Sequence, residues 1–245
     1  MEYNLSLIKK DNEFKYYFLG FVAGDGYISR KSNRIEIVLK EDDIALLRMF
    51  RDMLAPHLKI KNRLIGGKYK AYRLTFENKE LKKEVMRYIN TSNKTNSLIF
   101  PYGIPDNYVK DFVRGYIDAD GNIGVKRGQR LVDGNIRYYY GLRLRVLGTR
   151  AFLQGLTMNL KRLCYDKIMV VPHKKGKENV YYIEFGFSAA QRVLDYIYDG
   201  ATYFLERKRR VFEYIKTSDS NVLAENYGKP DGCYNTRNAG LALAS

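Results

Sequence analysis

FVRGYIDADGNIGV, residues 112–125, carries an apolar, helix-like run into Asp118, Ala119, Asp120 and Gly121. YFLGFVAGDGYI, residues 17–28, does the same earlier in the chain: apolar run, glycine, apolar run, acid, glycine. A carboxylate at the C-terminal end of a helix opposes the helix dipole, so a chain that places one there twice needs something to compensate. Pro105 stops what precedes the second copy, Asp106 is a suitable N-cap and Gly121 a suitable C-terminal stop, which bounds that helix. Mid-helix Gly115 costs about 1 kcal/mol relative to Ala, so a contact must offset it. Gly20 and Gly24 match Gly115 and Ala119, a small-x-x-x-small pair in each copy that lets helix backbones approach closely. The arrangement this predicts packs the two motif helices against each other as the joint between two halves. Asp25 and Asp120 then emerge side by side, where each repels the other. A divalent cation between them removes both penalties, and carboxylates with helix-end carbonyls suit Mg²⁺, with Mn²⁺ able to substitute. Such a metal activates water and stabilises the leaving oxygen of a phosphodiester.

A single acid-glycine pair commonly does no more than form a turn. An EF-hand loop does not fit in either register. With Asp118 in first position Ile123 takes the glycine site, and with Gly121 as that glycine Tyr116 comes first. Duplication is what gives the motif weight. Asp25 and Asp120 lie 95 residues apart, and other features recur between them in the same order. A basic, β-branched and aromatic stretch follows each acid-glycine pair (YISRKSNRIEIVL; NIGVKRGQRLVDGNIRYYYGLRLRVL). Next come a helical pattern (DDIALLRMFRDML; TRAFLQGLTMNLKRL), a basic hairpin (KIKNRLIGGKYKAYRLTF; KIMVVPHKKGKENVYYIEFGF) and closing helices. The prediction is an α+β protein of two αββαββα halves, residues 1–103 and 104–217, joined through FPYGIPDN. Residues 218–245, without sustained periodicity and rich in Gly, Asn and Ser, read as a mobile tail.

Alternation assigns faces to the strands. In YYYGLRLRVL, Arg143 and Arg145 oppose Leu142, Leu144 and Val146; in LKIKNRL, Lys59, Lys61 and Arg63 share a face; in KAYRLTF, Tyr72, Leu74 and Phe76 share the apolar one. Lysine and arginine total 43 against 27 acids, a net charge of +16, and counterion release from a phosphate backbone rewards such clustering. The positions expected at a nucleic-acid face, basic but for Tyr139, are Arg30, Lys31, Arg34, Lys59, Lys61, Arg63, Lys70, Arg73, Lys126, Arg127, Arg137, Tyr139, Arg143, Arg145, Lys174 and Lys175. A β-ribbon bearing them fits the major groove, where Arg and Lys read guanine. No apolar run approaches the roughly 20 residues that span a bilayer. The opening MEYNLSLIKKDNEF lacks the pattern of a signal peptide, so the expectation is an intracellular protein, in cytoplasm or organelle matrix. Two cysteines, Cys164 and Cys233, make neither a disulfide framework nor a zinc site. With His57 and His173 the only histidines, the sequence argues against nucleases and hydrolases that need a histidine base or metal cluster.

FLGFVAGDG (18–26) and VRGYIDADG (113–121) resemble the two signature motifs of a single-chain LAGLIDADG homing endonuclease, and the repeat order extends the similarity over residues 14–216. The resemblance implies a pseudo-twofold monomer, intron-encoded, whose antiparallel sheets form a saddle over a long pseudo-palindromic or asymmetric double-stranded DNA target. It implies metal-dependent cutting of both strands with a short 3′ stagger. The essential acids become Asp25 and Asp120, and the Gly24 and Ala119 carbonyls complete the metal site. Asp118 matches a position where the first copy has Ala23, and no catalytic role is assigned to it. Lys94 in NKTNSLIFP, Lys208 in LERKRRVF and Lys40 at the end of RIEIVLK match basic residues that stabilise transition-state charge. Two other readings use the same features: an intron-RNA maturase or transcription regulator on this scaffold, from which an acid would be expected to be lost, and a packaging protein of low sequence preference, which needs no paired acids.

Overall fold

The computed structural model describes residues 2–66, 69–163, 168–173 and 180–227. The first half runs α1 (Ser6–Lys9), α2 (Glu13–Gly24), β1 (Tyr27–Ile28), β2 (Arg34–Lys40), α3 (Ile44–Leu54), β3 (Lys61–Ile65), β4 (Tyr69–Glu77), α4 (Lys79–Tyr88) and α5 (Lys94–Ser97). The second runs α6 (Val109–Asp120), β5 (Gly121–Val132), β6 (Asn135–Gly148), α7 (Arg150–Leu160), β7 (Val171–Pro172), β8 (Tyr181–Gly186), α8 (Phe187–Tyr198), α9 (Glu206–Thr217) and α10 (Ser220–Tyr227). Each half holds one antiparallel sheet of four strands, in the orders β1-β2-β4-β3 and β5-β6-β8-β7. The same strand order twice is the expected duplication.

The two motif helices form the joint. Asn12 caps α2, its side chain accepting from the Lys15 backbone N–H at 2.9 Å. From Phe14 to Ala23 every residue of α2 is buried, packed on α6 and, through Phe18, against Phe50 of α3 and Phe76 of β4. A Cβ on Gly20 would collide with the Phe112 carbonyl, and one on Gly115 with the Tyr17 carbonyl. The small residues therefore exist because each helix lays a backbone carbonyl where the other lacks a side chain. That contact offsets the propensity cost of Gly115.

Two local expectations are corrected. Asp106 does not cap the second motif helix: it opens a 3₁₀ turn, Asp106–Tyr108, and α6 begins at Val109. Gly121 does stop α6, as its C-cap, in an extended conformation (φ −75°, ψ 149°) from which β5 starts directly. It is glycine for space, since a Cβ there would stand 2.5 Å from the Ile117 carbonyl. Residues 218–245 are not tail throughout: Ser220–Tyr227 form α10 on the back of β6, burying Leu223, with Ser220 Oγ accepting from the Tyr140 N–H at 2.9 Å. Residues 228–245 lie outside the described residues.

Buried charge holds the joint from one end. Arg114 of α6 is wholly buried. It donates to the carbonyls of Ile197 and Tyr203 and to Glu13 of α2, each at 2.7 Å, and pairs with Asp111 at 2.9 Å. A planar guanidinium with five donors can tie four segments in this way.

Candidate active site

At the other end of the joint the helices deliver their acids. Asp25 follows α2, Asp120 ends α6, and β1 and β5 start immediately beyond them, so the acids stand where both sheets begin. A Cβ on Gly24 would lie 3.4 Å from Asp120 Oδ2 and would clash with the Ala119 Cβ. The small-residue contact is thus what brings the acids together. Burial raises the Asp25 carboxyl to about 6, with the Asp120 charge adding to the rise and Lys208 and Lys94 opposing it. Asp25 reaches solvent at the rim, but the protein packed on its other sides dominates. Asp120 is also raised, again by burial, against the pull of Lys94 and Lys208.

Each lysine closes one helix end. Lys94 Nζ donates to the carbonyls of Val22, Ala23 and Gly24 at 2.7, 3.1 and 2.7 Å. Lys208 Nζ donates to those of Ile117, Asp118 and Ala119 at 2.7, 2.6 and 3.3 Å. An ammonium has three protons, and here all three go to carbonyls of the last helical turn, of which those of Val22 and Ile117 also accept the N–H of Gly26 and Gly121. Burial lowers both lysines to about 8. The sequence reading looked to a metal to offset the dipole; the structure shows two ammonium groups already doing so.

Asp118 does not share the cleft with Asp120. It is buried, accepting from Tyr17 Oη at 2.9 Å, Tyr198 Oη at 2.6 Å and the Leu205 N–H at 2.7 Å. Asp43, ahead of α3, holds Arg207 of the other half through two hydrogen bonds of 3.0 and 3.2 Å, and its charge also acts on Asp25. Lys40 is exposed at the end of β2, and the charges acting on the acid pair do not include it.

The described residues contain no group of three His, Cys, Asp or Glu that could hold a metal. Two carboxylates, each raised by its surroundings, still fit a hard divalent cation that takes its other ligands from water and phosphate. The Gly24 carbonyl is committed to Lys94 at 2.7 Å, whereas the Ala119 carbonyl, 3.3 Å from Lys208, is the freer donor.

Strand register sorts the basic residues. One face of the first sheet carries Arg34, Lys61, Arg63 and Arg73; the corresponding face of the second carries Lys126, Arg137, Tyr139, Arg143 and Arg145. Lys59 is exposed just before β3, and Arg30 and Lys31 stand out on the loop between β1 and β2, whose backbone donates to Ser29 Oγ. Arg143 lies on this face but is buried, donating to Asn122 at 2.9 Å. Two expected residues fall on the opposite face: Lys70 pairs across the sheet with Leu64, and Arg127 with Tyr140, its guanidinium 4.7 Å from the Tyr138 ring. Lys174 and Lys175 lie outside the described residues.

Three residues of this face were missed. Arg130 stands opposite Arg137, and strict alternation from Lys126 would have found it. Glu36 and Glu184 are acids set among the bases. Glu36 pairs with Arg63 and Arg73 at 3.5 and 3.8 Å, and Glu184 with Lys126 and Arg145 at 2.8 and 2.6 Å. Burial pushes the Glu184 carboxyl up, but the hydrogen bonds from Lys126 and Arg145 outweigh it and hold it below the usual range.

Residues 14–90 match the model of a family described as LAGLIDADG-like domain. Among solved structures the chain is similar to the meganuclease I-SmaMI bound to uncleaveable DNA (10% identity, 93% of this chain and 96% of that one, TM-score 0.56). It is similar also to the LAGLIDADG meganucleases I-CpaMI (12% identity, 91% and 96% covered, TM-score 0.55) and I-AabMI (16% identity, 88% and 92% covered, TM-score 0.51), each bound to uncleaved DNA. No curated protein matches the sequence. Over about nine-tenths of its length the chain therefore has the fold of the two-motif LAGLIDADG meganucleases.

Proposed function

We propose that this chain, with its LAGLIDADG meganuclease fold, is a site-specific double-strand DNA endonuclease acting as a monomer. One observation carries the reading: two close-packed helices bring Asp25 and Asp120 together where two sheets with basic faces begin. Duplex DNA lies along those faces, each half meeting its own half-site because the strand sequences differ. Asp25 and Asp120 would hold Mg²⁺ or Mn²⁺, with the Ala119 carbonyl and, less readily, the Gly24 carbonyl available as further ligands. When bound, the metal supplies Lewis-acid stabilisation of phosphate charge and acidifies water.

The hydrolysis adds a water oxygen to phosphorus and breaks one P–O ester bond, and the proton from water ends on the departing oxygen. The carboxylates would donate to the metal and orient the attacking water. Lys94 and Lys208 offset the helix-end carbonyls, so two acids can remain ionised beside a polyanion, and they add positive potential at the developing charge. Lys40, exposed on the flank, reaches the backbone of bound DNA. Cuts on the two strands leave short 3′ overhangs.

Asp120→Asn tests the reading, because it keeps the shape and removes the charge. Cleavage in Mg²⁺ should fall by at least about a hundredfold while binding to the same duplex in Ca²⁺ persists. Loss of binding or of the folded state in parallel would make the acid structural.

A further inference from the structure

The two lysine clamps are not equivalent. Aligned on the motif acids, Lys94 grips the innermost and outermost of its three carbonyls at 2.7 Å, the outermost being Gly24. Lys208 grips the two inner carbonyls at 2.7 and 2.6 Å and barely holds the outermost, Ala119, at 3.3 Å. Both lysines contact the same three aligned carbonyls, and Lys208 is drawn toward the middle one, Asp118, and away from the outermost. The two lysines also stand on unequal supports. Lys94 is half-buried and begins a four-residue helix with no side-chain cap. Lys208 is 4% exposed, in the first turn of the twelve-residue α9.

The cause of the difference is visible in the motifs. Where the second has Asp118 the first has Ala23. The Asp118 carboxylate accepts from the N–H of Leu205, the residue that precedes α9, and so fixes the turn from which Lys208 projects. Tyr17 and Tyr198 hold that carboxylate from α2 and α8. The outer side of α9 is fixed by Arg207 on Asp43. The groups facing Lys208 are thus Asp118, Arg207 and the two cleft acids, and nothing like Asp118 stands behind Lys94.

We propose that Asp118 makes the two cutting centres unequal: it confines Lys208 to the end of α6 and leaves Lys94 as the ammonium able to leave its carbonyls for the scissile phosphate. This rests on the endonuclease reading and deepens it. Either ammonium must turn from a carbonyl to bind phosphate. Lys208 has the longer outer contact, 3.3 Å to Ala119, but Asp118 fixes the start of its helix, whereas Lys94 rides on a four-residue helix with no side-chain cap that can move with it. The strand attended by Lys94 is cut first, the other second, with a nicked duplex between. Asp118 is a positioning residue in this scheme and touches no DNA.

Two measurements test it. In the free protein, competitive acetylation read by mass spectrometry should label Lys94 ahead of Lys208. Asp118→Asn should raise Lys208 labelling about tenfold, the worth of a charge-assisted contact, and leave Lys94 unchanged. Lys15, only 2% exposed, must stay protected as the control for folding. Tyr198→Phe, which removes one donor to Asp118, should move Lys208 the same way by less and serves if Asp118→Asn does not fold.

The second measurement uses a duplex recovered by cleavage selection and labelled on each strand separately. The wild type should accumulate a product nicked on one strand, and Asp118→Asn should bring the two strand rates together. Equal rates in the wild type, or a proportional slowing of both strands in the variant, would overturn the proposal. Absence of cutting by the wild type with the labelling contrast intact would overturn the endonuclease reading and the strand order, but not the restraint of Lys208 by Asp118.

Discussion

Asp25 and Asp120 were legible in the sequence because they recur with glycine at one spacing in a basic chain, and the helices that carry them do meet. Their environment was not legible. Asp118 binds Tyr17 and Leu205, 101 and 87 residues away, and Lys208 caps carbonyls about 90 residues distant. No local pattern encodes such partners, and nothing in the motif marks Arg114, the most buried cation among the described residues, as the group that ties four segments together. The acid pair has a consequence for stability. The folded pKa of Asp25, about 6, lies above the value of an unfolded carboxylate, so the folded chain binds that proton more tightly. Its contribution is greatest below about pH 4 and is lost as pH rises through about 6. A cation can take the place of the proton. Calcium should therefore raise Tm more at about pH 7.5 than at about pH 5, and Asp25→Asn should abolish the difference. A calcium shift of one size at both pH values would contradict this picture of the site.

At the scale of elements, the helix joint and the ribbons carry the fold. The small residues of the motifs were readable as a packing face because only close backbone approach justifies glycine inside a helix. Gly115→Ala drives a methyl into the Tyr17 carbonyl. It should cost about 3 kcal/mol or more, roughly 6–12 °C in Tm; a Tm unchanged within a degree would show that the helices do not meet there. The ribbons were harder to read. Runs of Arg and Lys showed that β3 to β6 are basic, but the face of each residue depends on register, and register is set by turns. That is why Lys70 and Arg127 were grouped with residues whose backs they stand on. On the observed register, Arg130→Ala and Arg137→Ala should each flatten the slope of log Kd against log salt by about one. Arg127→Ala should leave the slope unchanged, and an equal effect would place the DNA on the other face. Helix α10 went unseen because eight residues give too little periodicity to register.

At the scale of the molecule, a pseudo-twofold repeat builds a symmetric frame that its side chains then make unequal. The inner ribbon of the second half, twelve and fourteen residues long, faces a first-half counterpart of two and seven. Asp118 faces Ala23, and the Arg207–Asp43 pair has no charged mirror, since Thr149 at the corresponding helix start donates to the Leu98 carbonyl instead. A frame of this kind suits a target whose halves are related but not identical. On the proposed reading, the charge of +16 would set how strongly DNA is held and the two ribbons which DNA is held. The most direct test is to incubate the wild-type protein with Mg²⁺ and a randomised duplex library, then capture and sequence the cut ends. The account predicts one long consensus, cut on both strands near its centre with a short 3′ stagger, and no such ends from Asp25→Asn or Asp120→Asn. Specific binding of a duplex or an RNA without any cut ends would contradict it and leave the paired acids as part of a recognition protein.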